Sequence, residues 1–275
     1  MSGAAADRCD PPLWPTHDGL TLNEVNMNQR FVYPHKLIAH RGGGTLAPEN
    51  TLAAIRDGHA RGYRAVEFDV MLARENVPVL MHDDTLERTT NGHGALADFT
   101  AQQLAMLDAG SWRDARFKDE PVPQFDAVAQ LCIDLGMFAN VEIKPYAPGG
   151  EAVARTTGRL AALVSQGFWG ARPGEALLSS FSGAALEAAQ TAAPDFPRAH
   201  LFDAVPDDWQ AQLARLDCVA LHCNGKTLTQ PLAAAIKQAG YGLMCWTVNH
   251  PADAQRLFDL GVDAVCTDRL DLLRP

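Results

Sequence analysis

A chain of 275 residues with 47% hydrophobic content can bury a large core, and its length suits one α/β barrel or two smaller domains. Its formal net charge of -10 repels polyanions, which argues against nucleic acid and anionic membrane surfaces as partners and requires locally placed Arg or Lys for any anionic substrate. Residues 1–19 lack a basic segment followed by an apolar run, and no later stretch approaches the roughly 20 apolar residues of a spanning helix; the expectation is a soluble, unexported protein without stable membrane association.

In chain order, residues 1–35, rich in Pro, Asn and Asp, read as an N-terminal extension, for which packing across the bottom of the domain is one route to order. Residues 36–275 read as the folded domain. Short apolar or β-branched runs stand at 37–39, 65–70, 138–143, 176–180, 198–202, 218–221, 242–247 and 264–267. Helical patterns fall between them at 51–61, 125–135, 151–166, 183–192, 207–216, 230–239 and 252–260. Several helices end at a glycine (Gly62, Gly136, Gly240, Gly261), the residue best suited to a left-handed position after a helix.

Eight such runs favour a closed (β/α)8 TIM barrel over an open sheet. One stretch breaks the rhythm. A further apolar run at 77–81 follows the second strand, and the polar, Gly-rich stretch 83–123 leaves little room for a regular βα unit. It reads as a small insertion on the barrel rim, where substrate-selecting loops accumulate.

Six cysteines, Cys9, Cys132, Cys218, Cys223, Cys245 and Cys266, form no CxxC pair and lie mostly in apolar runs, a pattern that fits reduced core residues in a cytoplasmic protein. The grouping of Cys218, His222 and Cys223 matches no common zinc spacing.

Residues 65–70 read AVEFDV, so a strand there places Glu67 and Asp69 on one face and Val66, Phe68 and Val70 on the other. The apolar face must meet the helices, which turns both carboxylates into the barrel. Two ionised carboxylates there would repel one another and lose solvation unless a cation compensates, and a hard divalent ion is the simplest compensator. The next barrel strand repeats the spacing with Glu142 and Lys144: Glu142 can supply a third oxygen ligand, and Lys144 can hold a phosphate oxygen as a point charge.

His40 and Arg41 follow the first strand and precede three glycines, so the backbone there can approach a ligand closely, and Arg41 offers a fork matched to phosphate. His82 ends the apolar run at 77–81 and brings a second imidazole to the same rim. Two histidines at one mouth can act as base and acid across a P–O bond. The other seven, His17, His35, His59, His93, His200, His222 and His250, read as structural, His222 least securely because it stands at a strand end.

The string IAHRGGGTLAPENT at 38–51, EFD at 67–69, HDD at 82–84 and ERTTNG at 87–92 resembles the glycerophosphodiester phosphodiesterase family, most closely its bacterial cytosolic branch. The likeness continues through EIKP at 142–145, LSSF at 178–181, WTVN at 246–249 and GVDAVCTD at 261–268. The resemblance implies a β/α barrel with a small insertion after the second strand. It implies hydrolysis of deacylated phospholipids to sn-glycerol 3-phosphate and an alcohol, with one divalent metal, Mg2+ or Ca2+. It also implies that His40 and His82 are the catalytic pair, Glu67, Asp69 and Glu142 the metal carboxylates, and Arg41 and Lys144 the phosphate-binding cations.

Glu49 and Asn50 match the family's Pro-Glu-Asn motif; Asn50 is expected to cap the helix from residue 51, and Glu49 to orient Arg41 or the metal. Trp246 matches a position where the family often has an aromatic residue, and packing on the glycerol or filling the barrel are equally open to it. Where the family has Asp-Gly this chain has Glu75-Asn76, a turn that survives because Asn tolerates the left-handed conformation. Two other functions stay in view: a lysophospholipase D, which needs an exposed apolar groove, and a barrel that binds a phosphate ligand without turnover. Head-group preference, the role of each histidine, direct water attack against a cyclic phosphate, and assembly into a homo-oligomer are left open.

Overall fold

Strand alternation decides which side chains enter this molecule's interior. The computed structural model describes residues 31–275, with strands β1 (Leu37–Ala39), β2 (Ala65–Leu72), β3 (Pro78–Leu80), β4 (Phe138–Ile143), β5 (Ala176–Ser180), β6 (Arg198–Phe202), β7 (Ala220–Asn224), β8 (Gly242–Trp246) and β9 (Ala264–Thr267). All but β3 run parallel, and β1 pairs with both β9 and β2, closing an eight-stranded barrel. β3 is a short antiparallel addition to the outer end of β2, with Val70 opposite Leu80.

Around the barrel run α1 (Leu52–Ala60), α2 (Ala101–Leu104), α3 (Phe125–Asp134), α4 (Gly150–Trp169), α5 (Gly183–Ala192), α6 (Trp209–Arg215), α7 (Gln230–Gln238) and α8 (Pro251–Asp259). The outward residues Val66, Phe68, Val70, Val141 and Ile143 meet Phe125, Val128 and Trp169 in one cluster. Leu221, Cys223, Leu243 and Cys245 meet Leu213, Ile236 and Leu257 in another. Each fully buried side chain of this size contributes about 1.5–3 kcal/mol of transfer free energy. Gly62, Gly136, Gly240 and Gly261 all have positive φ, as their positions after helices predict.

The barrel floor is apolar: Ile38, Ala65, Phe138, Leu177, Ala199, Ala220 and Met244 form one cluster with Tyr33, and Phe31 packs beside it. Residues 31–35 thus lie against the bottom of the barrel, whereas residues 1–30 of the expected extension fall outside the described residues. Residues 83–123 wrap a small core of their own, in which Leu86, Leu96, Leu104 and Val122 pack on Met71 and Val79. Asn76 takes φ 63, so the Glu75-Asn76 turn forms as expected.

Two expectations need correction. The strand predicted at 218–221 lies at Ala220–Asn224. It runs on through His222 because that polar ring finds a partner inside the barrel, in the hydroxyl of Tyr33 at 2.5 Å. The helix from residue 52 is capped by Thr51, whose hydroxyl accepts the Ala54 N–H, and not by Asn50. Asn50 takes φ 59 and turns its amide toward β2 instead.

Candidate active site

At the C-terminal end of the barrel the inward column of β2 changes from Ala65 to Glu67 and Asp69, and that of β4 from Phe138 to Asn140 and Glu142. The register sets Asp69 opposite Glu142, and oxygens of Glu67, Asp69 and Glu142 all lie within 4.8 Å of one another. Glu67 and Asp69 are 3% and 2% exposed, so water does little to relieve their repulsion.

Burial, with Asp69 and Glu142 nearby, raises the Glu67 carboxyl well above its usual range. Burial and Asp69 push Glu142 up to about 8. Burial would raise Asp69 as well, but Arg41, Lys144 and His82 outweigh it and hold Asp69 below its usual range. Glu67 Oε1 is buried without a hydrogen-bond partner. An all-oxygen cluster with an orphaned acceptor and two carboxyls driven toward protonation fits a hard divalent cation.

Arg41 takes φ 49, which folds its backbone over the cluster so that its N–H donates to Glu67 Oε2 at 2.9 Å. Its guanidinium donates from Nη1 to Glu49 at 2.7 Å, and its Nε lies 3.4 Å from Asp69. Lys144 Nζ stands 3.8 Å from the other Asp69 oxygen. Asn50 grips β2 twice: its amide donates to Asp69 Oδ2 at 2.8 Å, and its carbonyl accepts the Asp69 N–H at 3.1 Å. Burial would raise the Glu49 carboxyl, but Arg88 and Arg41 hold it below its usual value.

Both mouth histidines have Nδ1 fixed by a carboxylate. His40 Nδ1 lies 2.5 Å from Asp268, which in turn accepts from Asn249 Nδ2 at 3.2 Å. His40 Nε2 is 3.8 Å from Glu67. His82 Nδ1 lies 2.7 Å from Asp83. Arg88 donates to Asp83 through Nε at 2.5 Å and Nη2 at 2.9 Å, and to both Glu49 oxygens at 2.7 and 2.8 Å. Burial lowers the His82 pKa from its usual value; Arg41 and Lys144 act in the same direction, and Asp69 and Asp83 oppose them.

His40, Arg41, Glu67, Asp69, His82, Glu142, Lys144 and Trp246 line one cavity of about 130 Å³. Trp246 meets the Phe181 ring edge-on with centroids 5.4 Å apart. A wider recess of about 460 Å³ opens on the far side of His40 and Arg41, bounded by Glu49, Asp268, Arg88 and Trp112. Gly44 shapes its wall: with φ 54, a Cβ there would stand 2.2 Å from the Asp268 carbonyl oxygen.

Sequence reasoning assigned no role to Asp83, Arg88, Asn249 or Asp268. A signal for Asp268 was available. Closure makes the first and last strands neighbours, and the pairing of Ala39 with Thr267 sets His40 beside Asp268. Cys218, which lies before β7, and Cys223 belong to the outer core while His222 points inward, so the trio does not converge.

Residues 40–272 match the glycerophosphoryl diester phosphodiesterase family. The glycerophosphodiester phosphodiesterase of Caldanaerobacter subterraneus subsp. tengcongensis is 31% identical over 236 residues, spanning 84% of this chain and 93% of its own. The solved structure of an Oleispira antarctica phosphodiesterase in complex with the product sn-glycerol-3-phosphate is 35% identical, with a TM-score of 0.79 over 85% of this chain and 93% of that one. A glycerophosphodiester phosphodiesterase structure from Agrobacterium tumefaciens is 29% identical, with a TM-score of 0.72 over 86% and 98%. The chain therefore belongs to the glycerophosphoryl diester phosphodiesterase family.

Proposed function

We propose that this protein hydrolyses glycerophosphodiesters, such as glycerophosphocholine or glycerophosphoethanolamine, to sn-glycerol 3-phosphate and an alcohol, using one divalent ion and two histidines. The observation that carries the reading is the convergence of Glu67, Asp69 and Glu142 in one cavity with two imidazoles, each clamped through Nδ1. The product bound to the Oleispira relative supports the substrate class.

Glu67, Asp69 and Glu142 would hold the ion, Mg2+ or Ca2+, either of which suits carboxylates and water. When bound, it supplies Lewis-acid stabilisation of phosphate charge. Arg41 and Lys144 bind the remaining phosphate oxygens and spread the charge that builds in the transition state. Glu49 and Asn50 set the positions of Arg41 and Asp69. With Nδ1 held by Asp268 or Asp83, each ring keeps Nε2 for proton transfer. One Nε2 takes the proton of the attacking hydroxyl as the new P–O bond forms; where that hydroxyl is the substrate's own glycerol, water opens the resulting cyclic phosphate in a second exchange of the same kind. The other protonates the departing alkoxide as the old bond breaks. Trp246 packs against the glycerol.

A coupled assay for sn-glycerol 3-phosphate across a panel of diesters and metals tests the reading; full turnover in excess chelator rejects the metal. A lysophospholipase D activity has one observation in its favour, the 40% exposed Trp112 in the wider recess and the 48% exposed Phe181 at the cavity. Comparing glycerophosphocholine with lysophosphatidylcholine separates the two. The described cysteines are all free and buried, in keeping with the cytoplasm we propose for the protein. No helix among the described residues is long and apolar enough to cross a membrane.

A further inference from the structure

The mouth holds a second group of potential ligands, which shares His40 and Glu67 with the proposed reaction and adds a sulfur that the reaction does not use. His40, Glu67 and Cys266 present a ring nitrogen, a carboxylate oxygen and a sulfur, all within 4.8 Å of one another. Cys266 comes from β9, whose register with β1 sets it opposite Ile38, directly below His40. Its side chain is 1% exposed and lines the same cavity.

We propose that these three residues form an inhibitory site for a borderline-soft divalent ion such as Zn2+, distinct in chemistry from the all-oxygen cluster. Three observations support it. The donor set of nitrogen, oxygen and sulfur is the set zinc favours, and Mg2+ and Ca2+ do not. The Asp268 carboxylate on His40 Nδ1 is the outer partner that metal-binding imidazoles usually have, and it leaves Nε2 as the donor. Glu67 is 3% exposed and its Oε1 has no hydrogen-bond partner, so the carboxylate has an acceptor to spare for an ion.

The spacing is close to what coordination needs. Tetrahedral zinc with bonds of about 2.0–2.3 Å holds its ligand atoms roughly 3.3–3.8 Å apart. The His40 Nε2 to Glu67 Oε2 separation is already 3.8 Å, and no pair of the three ligand atoms exceeds 4.8 Å. The ion displaces the Cys266 thiol proton to solvent and accepts the lone pairs of the thiolate, Nε2 and a Glu67 oxygen, with water as fourth ligand. Affinity therefore rises with pH.

Inhibition follows because His40 Nε2 is occupied and can no longer move a proton. That consequence rests on the function proposed above; the site itself does not.

Binding and inhibition are therefore measured separately on the full chain. Co2+ added to the wild type is expected to give a thiolate-to-cobalt charge-transfer band that survives Glu142→Gln and vanishes in Cys266→Ser and Cys266→Ala. The second variant covers the case in which the first does not fold. A band arising from any other cysteine would persist in both. Zinc titrations, each referred to the same variant's zinc-free rate, are expected to need at least about tenfold more zinc for half-inhibition once the sulfur is gone. Absence of the band from the wild type, or its persistence in both Cys266 variants, overturns the site. A Cys266-dependent band without zinc inhibition upholds the site and counts instead against the role proposed for His40.

Discussion

The floor and the mouth of this barrel solve the same problem, a polar ring inside a closed sheet, in opposite ways. At the floor, His222 is fully buried, bonded to the Tyr33 hydroxyl, and driven by burial down to about 3, so it stays neutral. At the mouth, His40 and His82 are each paired with a carboxylate and stand among Arg41, Lys144 and three acids. The difference teaches that burial does not mark a working histidine. A histidine with a neutral partner specifies packing; one whose Nδ1 is held by a carboxylate has its other nitrogen free for chemistry.

Mutations can break or sharpen that contrast. Glu67→Gln should have the largest effect, reducing kcat by more than the about 10²–10⁴-fold typical of losing a general acid or base. Its melting temperature without added metal should hold or rise, because a neutral amide replaces an acid that burial and its acidic neighbours disfavour. A drop in melting temperature as large as that of a floor variant would break the contrast. His40→Asn and His82→Asn should each cost about 10²–10⁴ in kcat with unchanged melting, measured by the coupled assay and circular dichroism. Arg88→Lys, which keeps the charge but loses the fork between Asp83 and Glu49, should lower kcat about 10–100-fold while KM changes little.

Tyr33→Phe should do the reverse, costing about 1–3 kcal/mol of stability in denaturant titration because His222 loses its partner, with kcat unaffected.

The last effect is a slope, small at neutral pH. The folded His222 titrates at about 3, below the ordinary value of 6.5, so the unfolded chain takes up the proton first on acidification. This residue's contribution is complete above pH 6.5 and declines as pH falls through the window from 6.5 toward 3. The loss reaches at most about 1.4 kcal/mol per pH unit. His222→Asn should flatten the stability profile between pH 6.5 and 4 by up to that slope, whatever its absolute stability.

Much of this was legible in the sequence because it is local. The two-residue spacing of Glu67 and Asp69, and of Glu142 and Lys144, fixes which face they share, and strand pairing brings them together. The glycines that end helices and the rim insertion were equally readable. What escaped depends on distant partners. His222 cut the predicted strand short because Tyr33, which satisfies it, lies 189 residues away. Asn50 looked like a cap until Asp69 was seen to claim both ends of its amide. Asp268 reaches His40 across 228 residues of chain, through barrel closure alone.

The Arg88 bridge has a practical consequence. Loops on barrel rims invite exchange between homologues as a way to change substrate preference, and stretch 83–123 looks like a cassette for that purpose. Yet Asp83 and Arg88 lie within it and hold His82 and Glu49 in place. A chimera that swaps the whole segment without conserving those two positions would lose the alignment of His82 and Glu49 on which the proposed reaction depends, so the transferable part begins after residue 88.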